Sequence, residues 1–451
     1  MNLRPYQAQA VDQIRDAYRR GVRRPLYTAP TGSGKTVLFS YIARNAAARG
    51  KRVCILVHRR ELLLQTCAKL ETPCGKIAPG YSRTRDLIQV ATVQTLVNRL
   101  DKYQFDLLVI DEAHHATAST WMRVITANHD ARVLGVTATP CRMTGRGLGD
   151  VFDTLIVGPT VEDLTADGWL AQCEVYAPGV IDVSGVGTAS GDYVKRDLAM
   201  AADRPTVTGC AIQHYRRYAD GLPAIAFCVG VQHAEHVAAQ FRAAGYMARR
   251  VDGGTPQADR DGAIAGLARG EIDVLTSCEL ISEGVDVPVV SCGIMLRPTK
   301  SLGLAMQQMG RILRPAPGKR SAIILDHAGN CLRHGLPDEP REWSLAEGAV
   351  RQKRGDTEAF PVRQCARCYY VHRPAPACPQ CGYVYPIAER TPEEVAGELV
   401  RIEQRQKRVE VGRARDREAL EAIARTRGYK HGWVEAILRA RQAKREGAAA
   451  V

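Results

Sequence analysis

Two series of short apolar runs, each run followed by an amphipathic stretch, limit what this chain can fold into. The first series comprises "PLYTA" (25–29), "VCILV" (53–57), "DLLVI" (106–110) and "RVLGVT" (132–137). Stretches such as "TVLFSYIARNAAARG" and "RELLLQTCAKLE" lie between its members. The runs are short and rich in β-branched residues, as the strands of a buried parallel sheet are. Strands separated by helical stretches imply a parallel sheet with helices on both faces. A second series repeats the pattern: "AIAFCV" (224–229), "IDVLTSC" (272–278), "VSCGIML" (290–296) and "AIILD" (322–326). At 451 residues the chain also exceeds what one hydrophobic core supports. The reading is therefore two α/β domains in tandem, at 1–160 and 208–335. The joint, 161–207, holds the Gly/Ser-rich piece "GVIDVSGVGTASGD", which reads as loop.

Proline, arginine and paired cysteines dominate from 337 to 386, and helical spacing returns from 392. Val395, Leu399, Ile402 and Val409 share one face, and Val434, Ile437 and Leu438 share another. The expected order after the second domain is a linker with a small cysteine module at 336–390, then a basic helical tail at 391–451. Of the formal charge of +14, the last 101 residues supply 21 Lys+Arg against 13 Asp+Glu, an excess of 8. Such a balance favours a polyanionic partner, although a solvated basic surface accounts for much of it. No apolar run approaches the roughly 18 residues of a membrane span, and the N-terminus lacks a signal-peptide pattern. Ten of fourteen cysteines are scattered singly, as suits a reducing cytoplasm.

The segment "APTGSGKT" (29–36) follows one expected strand and opens a helix. Thr31, Gly32, Ser33 and Gly34 then form a loop whose glycines let backbone N–H groups converge on a phosphate. Lys35 can reach the β- and γ-phosphates of ATP, and the Thr36 hydroxyl can ligate Mg2+. Ala29 stands where such loops usually have a first glycine. In "LLVIDEAHH", Asp111 and Glu112 end another strand, on the edge where open α/β sheets bind ligands. Asp111 suits a Mg2+ ligand through water, and Glu112 suits a base for the attacking water. Alone, the pair could equally start a helix.

Together "APTGSGKT", "DEAH" and "TAT" (137–139) resemble motifs I, II and III of the superfamily 2 helicases. "RPYQ" (4–7) is similar to the upstream glutamine motif, which implies that Arg4 and Gln7 lie at the adenine. "SCELISEGVDVP" (277–288) resembles motif V, placing Gly284 and Asp286 near nucleotide and nucleic acid. "QQMGRILRP" (307–315) resembles motif VI, Q-x-x-G-R-x-x-R, with Leu313 where glycine is frequent. The resemblance implies that Gln307, Arg311 and Arg314 act on the γ-phosphate from the second domain. A solvated basic face is the alternative for the two arginines. "VHRRELLLQ" (57–65) and "VATVQTL" (90–96) resemble motifs Ia and Ic, so Arg59 and Thr92 are candidates for backbone phosphates. Thr255 and Arg260 are further candidates.

The family implies two RecA-like domains with ATP between them, and DNA-dependent ATP hydrolysis coupled to movement or remodelling. "LRPTKSLGLAMQQMGRILR" is most similar to RadD-type DNA repair helicases of bacteria and phages. A restriction-type motor subunit, an RNA helicase and an ATP-gated clamp are the alternatives.

Four cysteines stand apart. Cys365-x2-Cys368 and Cys378-x2-Cys381 have the spacing of two knuckles that share one tetrahedral Zn2+. Four thiolates leave no place for water, so the site reads as structural. Arg363, Arg367, Tyr369, Tyr370, His372 and Arg373 surround it. They suit either stacking on single-stranded nucleic acid or packing over the metal.

Overall fold

A computed structural model describes residues 2–116, 119–142, 147–179, 181–189, 191–278, 287–346, 362–386, 410–411, 414, 416–430 and 432–448. Both series of apolar runs form sheets, and every pairing within these two sheets is parallel. The first sheet contains β1 (Pro25–Thr28), β2 (Val53–Val57), β3 (Gly75–Ile77), β4 (Ile88–Thr92), β5 (Leu107–Asp111), β6 (Arg132–Thr137) and β7 (Thr154–Val157). Its order is β3-β4-β2-β5-β6-β1-β7. Strands β1, β2, β4 and β5 are buried along their whole length, which is why their sequences do not alternate. The helices Pro5–Arg19, Lys35–Ala47 and Arg60–Leu70 cover one face through Val11, Ile14, Leu38, Phe39 and Leu63. Trp121, Val124 and Phe152 fill the other face.

The second sheet begins inside the stretch expected to be a connector. β8 (Cys173–Tyr176) is followed by a hairpin of β9 (Thr188–Ala189) and β10 (Asp192–Tyr193). Then come β11 (Ala224–Phe227), β12 (Ala248–Val251), β13 (Val274–Ser277), β14 (Cys292–Met295) and β15 (Ala322–Asp326). The order β12-β13-β11-β14-β15-β8 puts β8 on the edge, paired with β15. The stretch read as loop thus contains a strand pair, and Ile181 and Tyr193 bury a small core with Leu198.

The cysteine module also has a hairpin, β16 (Arg363–Gln364) with β17 (Val371–His372). It packs on the edge of the second sheet. Ala177 donates its N–H to Tyr369 O at 2.9 Å, Tyr218 OH donates to Cys368 O at 3.0 Å, and Val371 joins the second domain's core. Tyr176 stacks on Tyr218 at 4.2 Å and meets the Tyr370 ring edge at 5.5 Å. These contacts belong to one compact unit, residues 1–385.

The other unit spans 386–451. Its helices Arg417–Arg427 and Trp433–Ala448 bury Leu420 and Val434 together. Asp416 caps the first by accepting from Ala419 N at 2.8 Å, and Gly428 ends it in the left-handed region. Val434, Ile437 and Leu438 share this small core as their spacing predicts. Val395, Leu399, Ile402 and Val409 lie outside the described residues. No helix among the described residues is long and apolar enough to cross a membrane.

Candidate nucleotide site and cysteine centre

The loop after β1 turns through two glycines with positive φ, Gly32 at 91° and Gly34 at 78°. Gly34 starts the helix Lys35–Ala47, whose positive end faces the loop. A Cβ at Gly34 would stand 2.5 Å from Gln7 Nε2, so the position excludes other side chains twice over. Lys35 Nζ donates to the carbonyls of Ala29 (2.9 Å) and Pro30 (3.0 Å), folded back along the loop. Burial pushes its ammonium below the usual range, Glu112 and Asp111 pull it back up, and Arg314 and Arg311 depress it further.

Asp111 and Glu112 close β5 opposite this loop. Burial and the adjacent Glu112 carboxylate push the Asp111 carboxyl up to about 7, against the pull of Lys35. Such a carboxylate fits a divalent cation, which offsets both effects. Glu112 has φ 50°, a left-handed conformation rare outside glycine and characteristic of strained functional positions. His114 Nδ1 lies 3.4 Å from Glu112 Oε2 and 3.0 Å from Thr137 Oγ1. Thr137 Oγ1 in turn donates to Thr139 O at 3.1 Å.

The second domain reaches this site through the helix Leu302–Ile312. A Cβ at Gly303 would lie 3.1 Å from Thr139 Oγ1, and one at Gly310 only 2.6 Å from Thr31 Cβ. A Cβ at Gly32 would find Arg314 Cγ at 3.5 Å. The structure therefore brings Thr31, Gly32, Lys35, Asp111, Glu112, Arg311 and Arg314 to one cleft between the sheets. Ser33 and Gln307 are buried beside it, and Thr36 sits in the first turn of the helix that starts at Lys35. Gly284 and Asp286 lie outside the described residues.

Arg4 and Gln7 are placed differently from an open adenine reader. Gln7 is buried and donates through Nε2 to Ser33 O (3.1 Å) and Gly34 O (3.2 Å), while its Oε1 accepts from Arg4 N (3.0 Å). Both amide hydrogens are spent on the phosphate loop. Tyr6 OH also donates to Ser33 O, at 2.7 Å. The Arg4 guanidinium lies 4.3 Å over the Trp169 ring, a cation–π contact. Trp169 and its neighbour Leu170, which approaches Gly32, escaped sequence reasoning because they belong to no motif and no periodic run. Lys319 escaped it too. Its Nζ donates to Arg314 O at 2.8 Å and to Ile312 O, capping the arginine helix. Burial lowers that ammonium to about 8.

The candidates for nucleic-acid phosphates scatter. Arg59 immediately precedes the helix Arg60–Leu70 and is half-buried. Thr92 is buried and its hydroxyl bonds Thr95 Oγ1 at 2.9 Å. Thr255 Oγ1 accepts from Asp252 N at 3.0 Å. Arg260 is only 6% exposed and pairs with Glu61 of the first domain at 3.0 Å. It links the two domains instead of facing solvent.

In the cysteine module the four sulfurs lie within 4.8 Å of one another. Sγ–Sγ separations are 3.6 Å for Cys365–Cys381 and 3.7 Å for Cys368–Cys378. Metal–sulfur bonds of about 2.3 Å in a tetrahedron place sulfurs about 3.8 Å apart, so the donor set fits one zinc ion. Tyr369 (φ 59°) and Gly382 (φ 70°) make the left-handed turn after each knuckle. Among the flanking side chains, Arg363 lies 4.0 Å over Tyr385, and His372 Nε2 is 2.7 Å from Tyr385 OH. These groups pack on one another.

Residues 1–142 match the family described as type III restriction enzyme, res subunit, and residues 210–316 match the helicase conserved C-terminal domain. A 51.5 kDa protein of a Lactococcus phage (isolate 7-9) is 35% identical over 364 residues, covering 80% of this chain and 78% of that protein. IRC3 of Saccharomyces cerevisiae, named as a candidate ATP-dependent helicase, is 30% identical over 359 residues, covering 72% of this chain. The match spans only about half (51%) of the yeast protein's own length. Among solved structures, a fragment of a candidate HsdR subunit of a type I restriction enzyme from Vibrio vulnificus YJ016 superposes with a TM-score of 0.60. It is 22% identical and covers 74% of this chain and 65% of that one, a likeness of fold.

Proposed function

The chain belongs to superfamily 2 of the helicases, a family of ATP-hydrolysing enzymes, and from that premise we propose that it is a DNA-dependent ATPase that moves along or remodels DNA. One observation carries the reading: Lys35, Asp111 and Glu112 of the first domain meet Arg311 and Arg314 of the second domain in one cleft. Neither domain holds all five groups, so hydrolysis requires the two to close.

Each group has a task that its position supports. Lys35 exchanges the Ala29 and Pro30 carbonyls for phosphate oxygens. Glu112 takes the proton of the attacking water, with His114 bracing its carboxylate. Arg311 and Arg314 neutralise charge that develops on the γ-phosphate, beside Gln307. Thr36 and Asp111 would hold Mg2+, which would offset the negative charge of the triphosphate. Cys365, Cys368, Cys378 and Cys381 would hold Zn2+ as a structural ion. The +14 charge suits a nucleic acid, and the match to a restriction-enzyme subunit favours DNA. A cytoplasmic, RadD-type role in repair, recombination or replication is consistent with these features.

The test is ATP turnover with single-stranded, duplex and branched DNA and with RNA, side by side. We expect DNA to stimulate, Lys35→Ala to lose nucleotide affinity, and Glu112→Gln to bind Mg·ATP yet stall. Stimulation by RNA alone, or wild-type turnover in Glu112→Gln, overturns the reading. The res-subunit match over residues 1–142 favours one further version, a motor subunit of a restriction-type complex. Duplex-stimulated translocation without strand separation would select it.

A further inference from the structure

The helix bearing Arg311 touches the first domain at both ends, so its seat in the second domain decides where the arginines stand. Gly303 abuts Thr139 near its start, and Gly310 abuts Thr31 near its end. Lys319 fastens the C-terminal carbonyls. What fastens the start is a buried polar cluster outside the numbered ATPase motifs.

Thr299 is the centre of that cluster and is fully buried. Its N–H donates to Asn330 Oδ1 at 3.1 Å. Its carbonyl accepts from His334 Nε2 at 2.9 Å and from Arg333 Nη1 at 3.3 Å. Its hydroxyl donates to Asp192 Oδ2 at 2.8 Å and accepts from Ser301 N at 3.0 Å. The other Asp192 oxygen accepts from Lys300 N at 2.7 Å. Ser301 then caps the arginine helix, its Oγ accepting from Leu304 N at 3.3 Å. Asn330 Nδ2 completes the frame by donating to Arg297 O at 3.0 Å. Asp192 comes from the β9–β10 hairpin, 107 residues away in sequence from Thr299.

We propose that Asp192 is a positioning residue for ATP hydrolysis: through Thr299 and Ser301 it fixes the start of the helix that presents Arg311 and Arg314. Both of its oxygens hold consecutive residues of the segment that leads into the helix. The Thr299 hydroxyl gives its single proton to Asp192 and accepts from the N–H of the cap residue Ser301. Freed from Asp192, Lys300 N and the Thr299 hydroxyl lose buried partners, and the segment must shift to satisfy them. A shift of an ångström at a helix that carries transition-state cations slows chemistry without touching the phosphate loop.

This inference rests on the ATPase reading, and the experiment separates the two. DNA-stimulated turnover is measured on the full chain for wild type, Asp192→Asn, Thr299→Val, Thr299→Ser and the Asp192→Asn/Thr299→Val double variant. Asp192→Asn keeps an acceptor for Lys300 N but cannot accept the Thr299 proton in its present geometry. We expect its kcat to fall about 10- to 100-fold with KM for ATP within about twofold. Thr299→Val should match it, Thr299→Ser should retain wild-type turnover, and the double variant should be no worse than the worse single one. A rise in KM at constant kcat, additive losses in the double variant, or unchanged kcat in both single variants overturns the proposal. Thermal unfolding of each variant identifies any that fails to fold, and the Thr299→Val and Thr299→Ser pair then decides. Absence of turnover in the wild type sinks the ATPase reading itself, and the inference with it.

Discussion

Replacing Gly310 by alanine sets two effects of opposite sign against each other. Gly310 lies inside the helix Leu302–Ile312, where alanine is favoured over glycine by about 1 kcal/mol. On that ground the second domain should gain stability. The added Cβ, however, would stand 2.6 Å from Thr31 Cβ across the interdomain cleft. Carbon atoms not bonded to each other rest about 3.5–4.0 Å apart, so the two surfaces must separate by roughly 1 Å. Turning the Thr31 side chain gives no relief, because the obstructing atom is its Cβ, fixed by the loop backbone. Packed interiors do not absorb such a step locally, so the domains move apart and carry Arg311 and Arg314 with them. A 1 Å misplacement of reacting groups costs on the order of a hundredfold in rate. Steady-state ATP turnover with saturating DNA should fall by about that factor. Nucleotide affinity, set mainly by the first domain's loop, should fall less than turnover does, and the unfolding temperature should hold. Turnover within about twofold of wild type would show that the contact does not set the distance between the arginines and the nucleotide.

Glu61→Ala leaves Arg260 buried without its partner, which should weaken the closed arrangement by up to about 3 kcal/mol. Small-angle scattering should register a larger radius of gyration, and an unchanged radius refutes the link. Freshly purified protein should contain one zinc per chain. Joint replacement of Cys365 and Cys378 by serine should release it, unfold 362–386 and lower the second domain's unfolding temperature, because Val371 packs into that core; elemental analysis without metal removes the assignment. Buried His233 and His334 are held neutral with pKa values lowered to about 4, and His327 to about 3, each chiefly by burial. The unfolded chain takes up these protons first, so stability should be full above about pH 6.5 and decline as pH falls toward 4. Equilibrium unfolding midpoints that stay flat across that window contradict this.

The parts of this structure that sequence disclosed are those whose residues repeat a local rule. Continuous apolar runs gave away β1, β2, β5 and β6, since strands buried on both faces have no polar side to show. Gly32, Gly34 and Lys35 were legible because a phosphate loop needs particular residues at fixed spacing. The cysteine pairs were legible for the same reason. Edge strands were not. β8, "CEVY", and β7, "TLIV", are short and partly exposed, and each pairs on one side only. Residues acting over long sequence distances were also hidden. Arg260 reads as a candidate for nucleic-acid phosphates until Glu61, 199 positions away, comes to face it. Asp192 stands in a Gly/Ser-rich stretch with no period, and nothing local marks it as the partner of Thr299. Gln7 was found by motif, but its present partners are the phosphate-loop carbonyls Ser33 O and Gly34 O.

The charges gathered in the cleft bear on how hydrolysis drives movement. Lys35, Arg311 and Arg314 converge there, and the two guanidinium groups already depress the Lys35 ammonium. Asp111 and Glu112 compensate only in part, and their own proximity pushes the Asp111 carboxyl up. Without a triphosphate, closure therefore brings Arg311 and Arg314 toward the like charge of Lys35. In the proposed cycle the γ-phosphate places negative charge among the three cations, and a divalent cation held by Asp111 would offset the two carboxylates. Nucleotide binding then favours the closed arrangement by its differential interaction with it. Loss of the γ-phosphate returns Arg311 and Arg314 to facing Lys35, which favours reopening. Thr31 with Gly310 and Glu61 with Arg260 are two of the separate points at which the domains meet. Domains hinged at one and released at the other would shift their nucleic-acid grips relative to each other. Glu61→Ala and Gly310→Ala should accordingly differ: the first loosens the clamp yet leaves single-turnover hydrolysis near wild type once ATP closes the cleft, whereas the second slows the chemical step itself. Rapid-quench measurement on both variants decides, and equal slowing of single-turnover hydrolysis would mean that the two contacts act as one.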